Sequence, residues 1–257
     1  MKKTIIILLA FAFTLSYAQE KSPEELAKMS QNPLANMMSF PIQNNTTFGI
    51  GDFDRTSNVL NIQPVLPFFN GQLITRTIIP LVSSPVGESE TLSGVGDINF
   101  SAFYAPAPKN GLTWGVGPIV VIPTGNDISA KKWSIGPSVL VLKMAKKWVY
   151  GFLVNNVWSV GGDENASDVN SMLFQYFINY NFTGGWYLSS APIITANWEA
   201  DNDHKWTLPV GGGFGKIFKI GKQPVTAQIS AYKNIVTPDD YGADWQVRTM
   251  IMWMFPK

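Results

Sequence analysis

From Trp245 to the end of the chain, large apolar residues fall on every second position. They are Trp245, Val247, Ile251, Trp253 and Phe255, with Thr249 milder and Gln246 and Arg248 lying between. A period of two marks a strand with two unlike faces. The same kind of segment, about ten residues long and bounded by turn signals, recurs along the chain. Strands are predicted at Asn58–Phe68, Gln72–Leu81, Val95–Ala105, Thr113–Ile122, Trp133–Lys143, Trp148–Val160, Ser171–Phe182, Trp186–Trp198, Trp206–Phe218 and Pro224–Val236, besides the closing one. Pro41–Gly51 is a weaker first strand, which brings the count to about twelve.

The connections between these segments alternate in length. Long ones are expected at Asp52–Ser57, Ser83–Gly94, Thr124–Lys132, Gly161–Asn170, Glu199–Lys205 and Thr237–Asp244. Short ones are expected at Phe69–Gly71, which holds the Asn-Gly hairpin signal, and at Pro106–Leu112, Met144–Lys147, Thr183–Gly185 and Lys219–Gln223. Charge sorts the same way. Apart from Glu20, Glu24, Glu25 and Asp97, every acidic residue lies in or beside a long loop, whereas the charges near short turns are lysines: Lys109, Lys143, Lys146, Lys147, Lys216, Lys219 and Lys222. Solvated loops explain the charge but not its sorting by sign. Short turns on one side, long loops on the other and an even strand count describe a transmembrane β-barrel of the outer membrane, all-β and antiparallel. The short turns and both chain ends then face the periplasm.

Composition fits that class. Charged residues make up 14% and aromatic residues 13%, with nine Trp, all at or near predicted strand ends where an indole suits the headgroup level. Net charge is +1, which gives no reason to expect nucleic acid, and the absence of cysteine excludes disulfides, thiolate metal sites and thiol nucleophiles. Prolines 64, 118, 137, 192 and 209 fall inside strand segments, where each removes a ladder donor; bulges are expected there.

Ahead of the strands, residues 1–18 read as a secretory signal peptide of a Gram-negative bacterium: two lysines, a short apolar run and small residues before a cut after Ala18. Residues 19–40 form a periplasmic N-terminal segment. Ser22 as N-cap, Pro23 at the first helical position and Glu25 three after the cap predict a short helix from Pro23 to about Met29. It either lies loose or tucks into the barrel mouth. Residues 41–257 are the barrel.

The run from Glu25 to Phe68, with "LITRTIIPL", "GVGDINFSAFYAP" and "WGVGPIVVIPTG", resembles the phenol-degradation meta-pathway transporter family of outer-membrane proteins. The likeness is to its Bacteroidetes-type members, some of which bear a neuromedin U label, and it covers nearly the whole mature chain. It implies a monomeric porin-like barrel with hydrophobic or aromatic small molecules as cargo, and supplies no catalytic or binding residues.

Candidate chemistry is sparse. His204, the only histidine, sits in the acidic loop "EADNDHK" with no serine nearby in sequence, although some twelve-stranded barrels are Ser/His lipid hydrolases. "GGGFGK" (Gly211–Lys216) lacks the Ser/Thr and the strand-then-helix setting of a phosphate loop; Gly211, Gly213 and Gly215 share one face and leave room in the lumen. Acidic pairs such as Asp163/Glu164, Asp201/Asp203 and Asp239/Asp240 do not have the spacing of a calcium loop. No catalytic, cofactor or metal site is expected. Lumen-lining candidates are Arg76, Asp97, Asn99, Gln175, Asn179, Gln228, Gln246 and Arg248, with Asn61 and Gln63 on the same polar faces. Arg76 and Arg248 either pair with Asp97 as internal glue or line a water-filled path.

Phe255 is the expected assembly signal for the β-barrel assembly machinery, although Pro256 and Lys257 follow it. Expected partners are outer-membrane lipid, that machinery and a small solute. Three functions stand: a passive channel through a narrow polar lumen, a non-conducting barrel that acts through its outer loops, and a membrane-embedded lipid hydrolase.

Overall fold

The computed structural model describes residues 21–256, so the signal-peptide reading lies outside the described residues. One helix, α1 (Pro23–Ser30), precedes fifteen strands. These are β1 (Met37–Ile50), β2 (Arg55–Ile62), β3 (Val65–Phe68), β4 (Leu73–Val86), β5 (Glu90–Val95), β6 (Ile98–Tyr104), β7 (Leu112–Ile122) and β8 (Lys132–Ala145), followed by β9 (Trp148–Gly162), β10 (Asn170–Asn181), β11 (Trp186–Ser190), β12 (Ile193–Asn197), β13 (Trp206–Ile220), β14 (Gln223–Val236) and β15 (Trp245–Pro256). Three pairs, β2/β3, β5/β6 and β11/β12, run on end to end, so the wall has twelve antiparallel staves. The seam is β1 against β15, from Met37 opposite Pro256 to Phe48 opposite Trp245, and it closes the barrel.

The period-two pattern fixes which face of each stave meets lipid. On β15, Trp245 and Ile251 are exposed while Arg248, Met252 and Met254 are buried inside. On β14, Ile229 points out while Ser230 and Tyr232 are buried. The outward band carries Val116, Ile135, Phe152, Leu188 and Phe214, all exposed large apolar residues. Tryptophans ring it at both ends. Trp114, Trp148, Trp186 and Trp253 lie toward the short turns, and Trp133, Trp158, Trp198, Trp206 and Trp245 toward the long loops. Trp148 packs edge-on against Tyr180, and Trp198 against Trp206. An apolar band between two aromatic girdles is the outer surface of a membrane-spanning barrel.

Prolines explain two of the three broken staves. Pro64 separates β2 from β3 and Pro192 lies between β11 and β12, each where a donor-less residue cannot continue the ladder. Pro209 sits at a register shift between β13 and β14. Pro118 and Pro137 face each other across unbroken β7 and β8. The third break, at Gly96–Asp97, has no proline of its own.

Three loops are shorter than expected, the one between β9 and β10 running over residues 163–169. β1 and β2 join through residues 51–54, and β4 and β5 form a tight hairpin around residues 87–89. Ser83 and Ser84 continue β4 opposite Ser93 and Leu92, and Arg55 donates to the carbonyls of Gly87, Glu88 and Glu90. Polar residues thus extend the ladder beyond the apolar band. The first strand starts at Met37, ahead of Pro41, because Met37 and Ser39 already alternate inward with Met38 and Phe40 outward.

α1 forms as its cap predicts. The Glu25 N–H donates to Ser22 Oγ and the Ser22 N–H to Glu25 Oε2, with Pro23 at the start. It lies inside the short-turn end of the barrel. Leu26 and Ala27 pack with Met37, Ile217, Met252 and Met254 in one cluster. Leu34 joins a second cluster with Ile74, Phe103, Leu140, Leu142 and Phe177. Gly115 makes this approach possible, since a Cβ there would lie 2.8 Å from Leu34 Cδ1.

Candidate functional site: the barrel lumen

The N-terminal segment is tied down at both ends. Glu24 Oε1 accepts from the Gly184 N–H at 2.8 Å, in the turn after β10. That bond is the first cause of a Glu24 carboxyl held below its usual pKa. Gln31 and Asn181 exchange side-chain hydrogen bonds. Met29, Gln31, Asn32 and Pro33 form the floor of a chamber of about 180 Å³.

Above that floor the lumen widens into two further cavities, of ≈ 340 and ≈ 430 Å³, one under the β7–β8 loop and the other under the β14–β15 loop. Arg76, Leu153 and Gln175 line both the chamber and the first cavity; Gln43 and Arg248 line both the chamber and the second. Ile193 and Thr195 border both outer cavities. The three spaces therefore meet at a waist where Arg76, Gln175 and Arg248 stand.

Each sequence candidate faces this interior. Arg76, Gln175, Asn179, Gln228 and Arg248 border the chamber, Asp97 and Asn99 the first outer cavity, and Gln246 with Arg248 the second. Phe255 lies on the outward face of β15, opposite Met38.

The expected pairing of the arginines with Asp97 is not formed. Asp97 lies in the break between β5 and β6, across from the β7–β8 loop. Its carboxylate accepts from Thr124 N–H at 3.3 Å and Ala130 N–H at 2.9 Å, which folds the β7–β8 loop inward. Arg76 donates instead to Gln63 Oε1 at 2.5 Å. Arg248, only 5% exposed, donates to Asn45 Oδ1, the Ala191 carbonyl and Gln246 Oε1, and its guanidinium lies 4.8 Å from the Tyr232 ring centre. The broken staves are used here. Gln63 and Ala191 adjoin the breaks at Pro64 and Pro192, and the Ala191 carbonyl also accepts from Gln175 Nε2.

The lumen is polar only in part. The waist and outer half carry Asn, Gln, Ser and Thr, but the half toward the short turns adds an apolar face, with Met252, Met254, Leu140 and Phe177 buried beside Asn179, Asn181 and Thr226. An apolar inner face is needed because the N-terminal segment presents Leu26, on α1, and Leu34, after it, to this face. A polar lumen from end to end is thus corrected. Tyr187, missed in the sequence, is buried on this inner wall and bonds Thr226 Oγ1 at 3.0 Å and Gln228 Oε1 at 3.1 Å. Gly215 gives it room, since a Cβ there would lie 2.3 Å from the Tyr187 ring.

At the far end His204 joins two outer loops. Nδ1 lies 2.6 Å from Asp201 and Nε2 lies 3.0 Å from Asp240, with the Tyr241 ring stacked on the imidazole. These hydrogen bonds hold the His204 pKa above its ordinary value, and the bond to His204 holds that of Asp201 below its own. Among the described residues no group of three or more His, Cys, Asp or Glu is gathered for a metal.

Comparisons with known proteins agree with this geometry. Residues 39–159 match the family described as "Putative MetA-pathway of phenol degradation". The fold is similar to the COG4313 outer membrane channel from Pseudomonas putida F1, at 18% identity over 85% of this chain and 94% of that one, with a TM-score of 0.63. It is also similar to the NanC porin, at 11% identity over 84% and 98%, with a TM-score of 0.58. No curated protein matches the sequence. The signature of that family thus lies over residues 39–159, and the whole chain has the fold of an outer-membrane β-barrel similar to that of the channel from Pseudomonas putida F1.

Proposed function

We propose that the protein is a passive channel for small solutes across the outer membrane, with the outer loops as vestibule and the N-terminal segment as the inner gate. The observation that carries this reading is the chain of three cavities meeting at the Arg76–Arg248 waist. A barrel built only as a scaffold has no need of such space. The path runs from beneath the His204 loops to the floor formed by residues 29–33, where the gate stands closed.

The packed inner half favours a second reading, a non-conducting barrel that works through its outer loops. Liposome swelling with solutes of graded size separates the two. The channel reading expects swelling that rises when residues 21–35 are deleted. No swelling at any size, with or without that deletion, overturns it and leaves the second reading.

We assign the chain no enzymatic step. Both ring nitrogens of His204 are taken by carboxylates, so this histidine has none to offer a serine.

A further inference from the structure

The chamber above α1 holds two cations and no anion. Among the described residues no Asp or Glu borders it, and neither Arg76 nor Arg248 has a carboxylate within ion-pair distance. Asp97 borders the neighbouring cavity, and its carboxylate is spent on two backbone donors. The two guanidiniums differ in how fully they are used. Arg248 makes hydrogen bonds to three neutral acceptors and rests on Tyr232. Arg76 makes one, to Gln63, out of five possible donors.

A structural arginine in a protein interior is paired or fully hydrogen-bonded, because burying its charge is costly otherwise. Two like charges bordering one chamber add mutual repulsion. That cost is offset when an anion bridges them, and a carboxylate matches the planar fork of a guanidinium with two parallel hydrogen bonds. Gln175 and Gln228 add neutral donors to the same wall.

The chamber also has an apolar side, beside polar lining residues such as Ser39, Gln43, Asn179 and Ser189. Met250, Met252, Leu153, Phe177 and Val65 line it, together with the Tyr187 ring. Its volume of about 180 Å³ suits a one-ring molecule, since a dry protein cavity of ~150 Å³ accommodates benzene. Methionine side chains adapt to varied apolar shapes, which suits a class of ligands better than a single one.

We propose that this chamber is a binding site for small monocarboxylates with a compact apolar body, the carboxylate held by Arg76 with Arg248 behind it and the body against the methionine wall. The site deepens the channel reading and rests on it only for its place on a transport path; binding itself does not require conduction.

The test is titration calorimetry on the full-length, detergent-folded protein, with benzoate as probe and benzamide as its neutral isostere. Benzoate should bind at least tenfold more tightly than benzamide. Arg76→Gln should abolish that preference and Arg76→Lys should retain most of it; Arg76 is chosen because it makes only one internal bond. Heat-dependent gel mobility confirms that each variant is folded, and Arg248→Lys serves as a second probe that keeps the charge. Equal affinity for benzoate and benzamide, or an unchanged preference in folded Arg76→Gln, overturns the proposal. The channel reading is scored apart by liposome swelling with neutral solutes: loss of swelling with benzoate binding intact removes the channel and keeps the site, and the reverse removes the site and keeps the channel.

Discussion

Gln31 and Asn181 exchange a reciprocal pair of amide hydrogen bonds, 2.9 Å from Gln31 Nε2 to Asn181 Oδ1 and 3.0 Å back from Asn181 Nδ2 to Gln31 Oε1. The two residues are 150 apart in sequence, and theirs is a direct side-chain bond between the N-terminal segment and the wall. Because the native chain has no cysteine, replacing both residues with cysteine gives a cross-link free of competing thiols. Oxidation of Gln31→Cys/Asn181→Cys should abolish conductance in planar bilayers, and reductant should restore it. Equal conductance in both states would place the segment off the solute path.

Leu34 fills the space that Gly115 leaves. Leu34→Ala should weaken docking of the segment by about 2–5 kcal/mol, the usual cost of removing a buried leucine. Gly115→Val should expel the leucine by collision. Both variants should remain folded barrels, with increased proteolysis within residues 21–36 and larger liposome swelling than wild type.

The His204 latch gives a pH window whose sign can be worked out. His204 has a raised folded pKa, so its contribution is complete below its ordinary 6.5 and is lost as pH rises through the raised value. Asp201 has a lowered folded pKa, so its contribution is present above its ordinary 3.8 and is lost as pH falls through the lowered value. The groups that face the ring are Asp201, Asp240 and Tyr241. The two loops should therefore stay joined from mildly acidic to neutral pH and loosen in alkali. The single histidine makes this directly readable by NMR: its C–H resonance should titrate above 6.5 in wild type and move down in Asp201→Asn and Asp240→Asn.

Tyr187→Phe removes the hydroxyl shared by Thr226 and Gln228. A buried polar group left without its partner costs about 1–3 kcal/mol, so the folded band on unheated gels should convert at lower temperature. Gly215→Ala should have a larger effect, because its methyl group meets the Tyr187 ring itself. The double variant Gly215→Ala/Tyr187→Phe should not regain stability, since the clash is with the ring carbons as well as the hydroxyl oxygen.

The wall was legible in the sequence because a membrane-facing strand must alternate, and lipid tolerates no exception on its face. Ser171–Phe182 shows this clearly: the face with Gln175, Asn179 and Asn181 is the inner one. The α1 cap was legible for the same local reason, since Ser22 and Glu25 meet each other within one turn. What the helix does was not. Period-two reading marks Met250, Met252 and Met254 as facing inward, but gives no sign that Leu26 packs on Met252 and Met254 there. Nor does it reveal that the β7–β8 loop folds over Asp97, where the Thr124 and Ala130 N–H groups take its carboxylate in place of an arginine. Both misses are contacts between residues far apart in sequence.

The seam strand has a consequence for how the molecule is made. β1 and β15 join the two ends of the barrel, so their ladder closes a loop of nearly the whole described chain, the slowest kind of contact to form. α1 is joined to β1 by residues 31–36 and therefore stands at the last gap to close. The inner apolar residues it covers would face water until then. On this topology the helix can settle among Met252, Met254 and Ile217 while the wall is still open, and the finished barrel encloses it without threading.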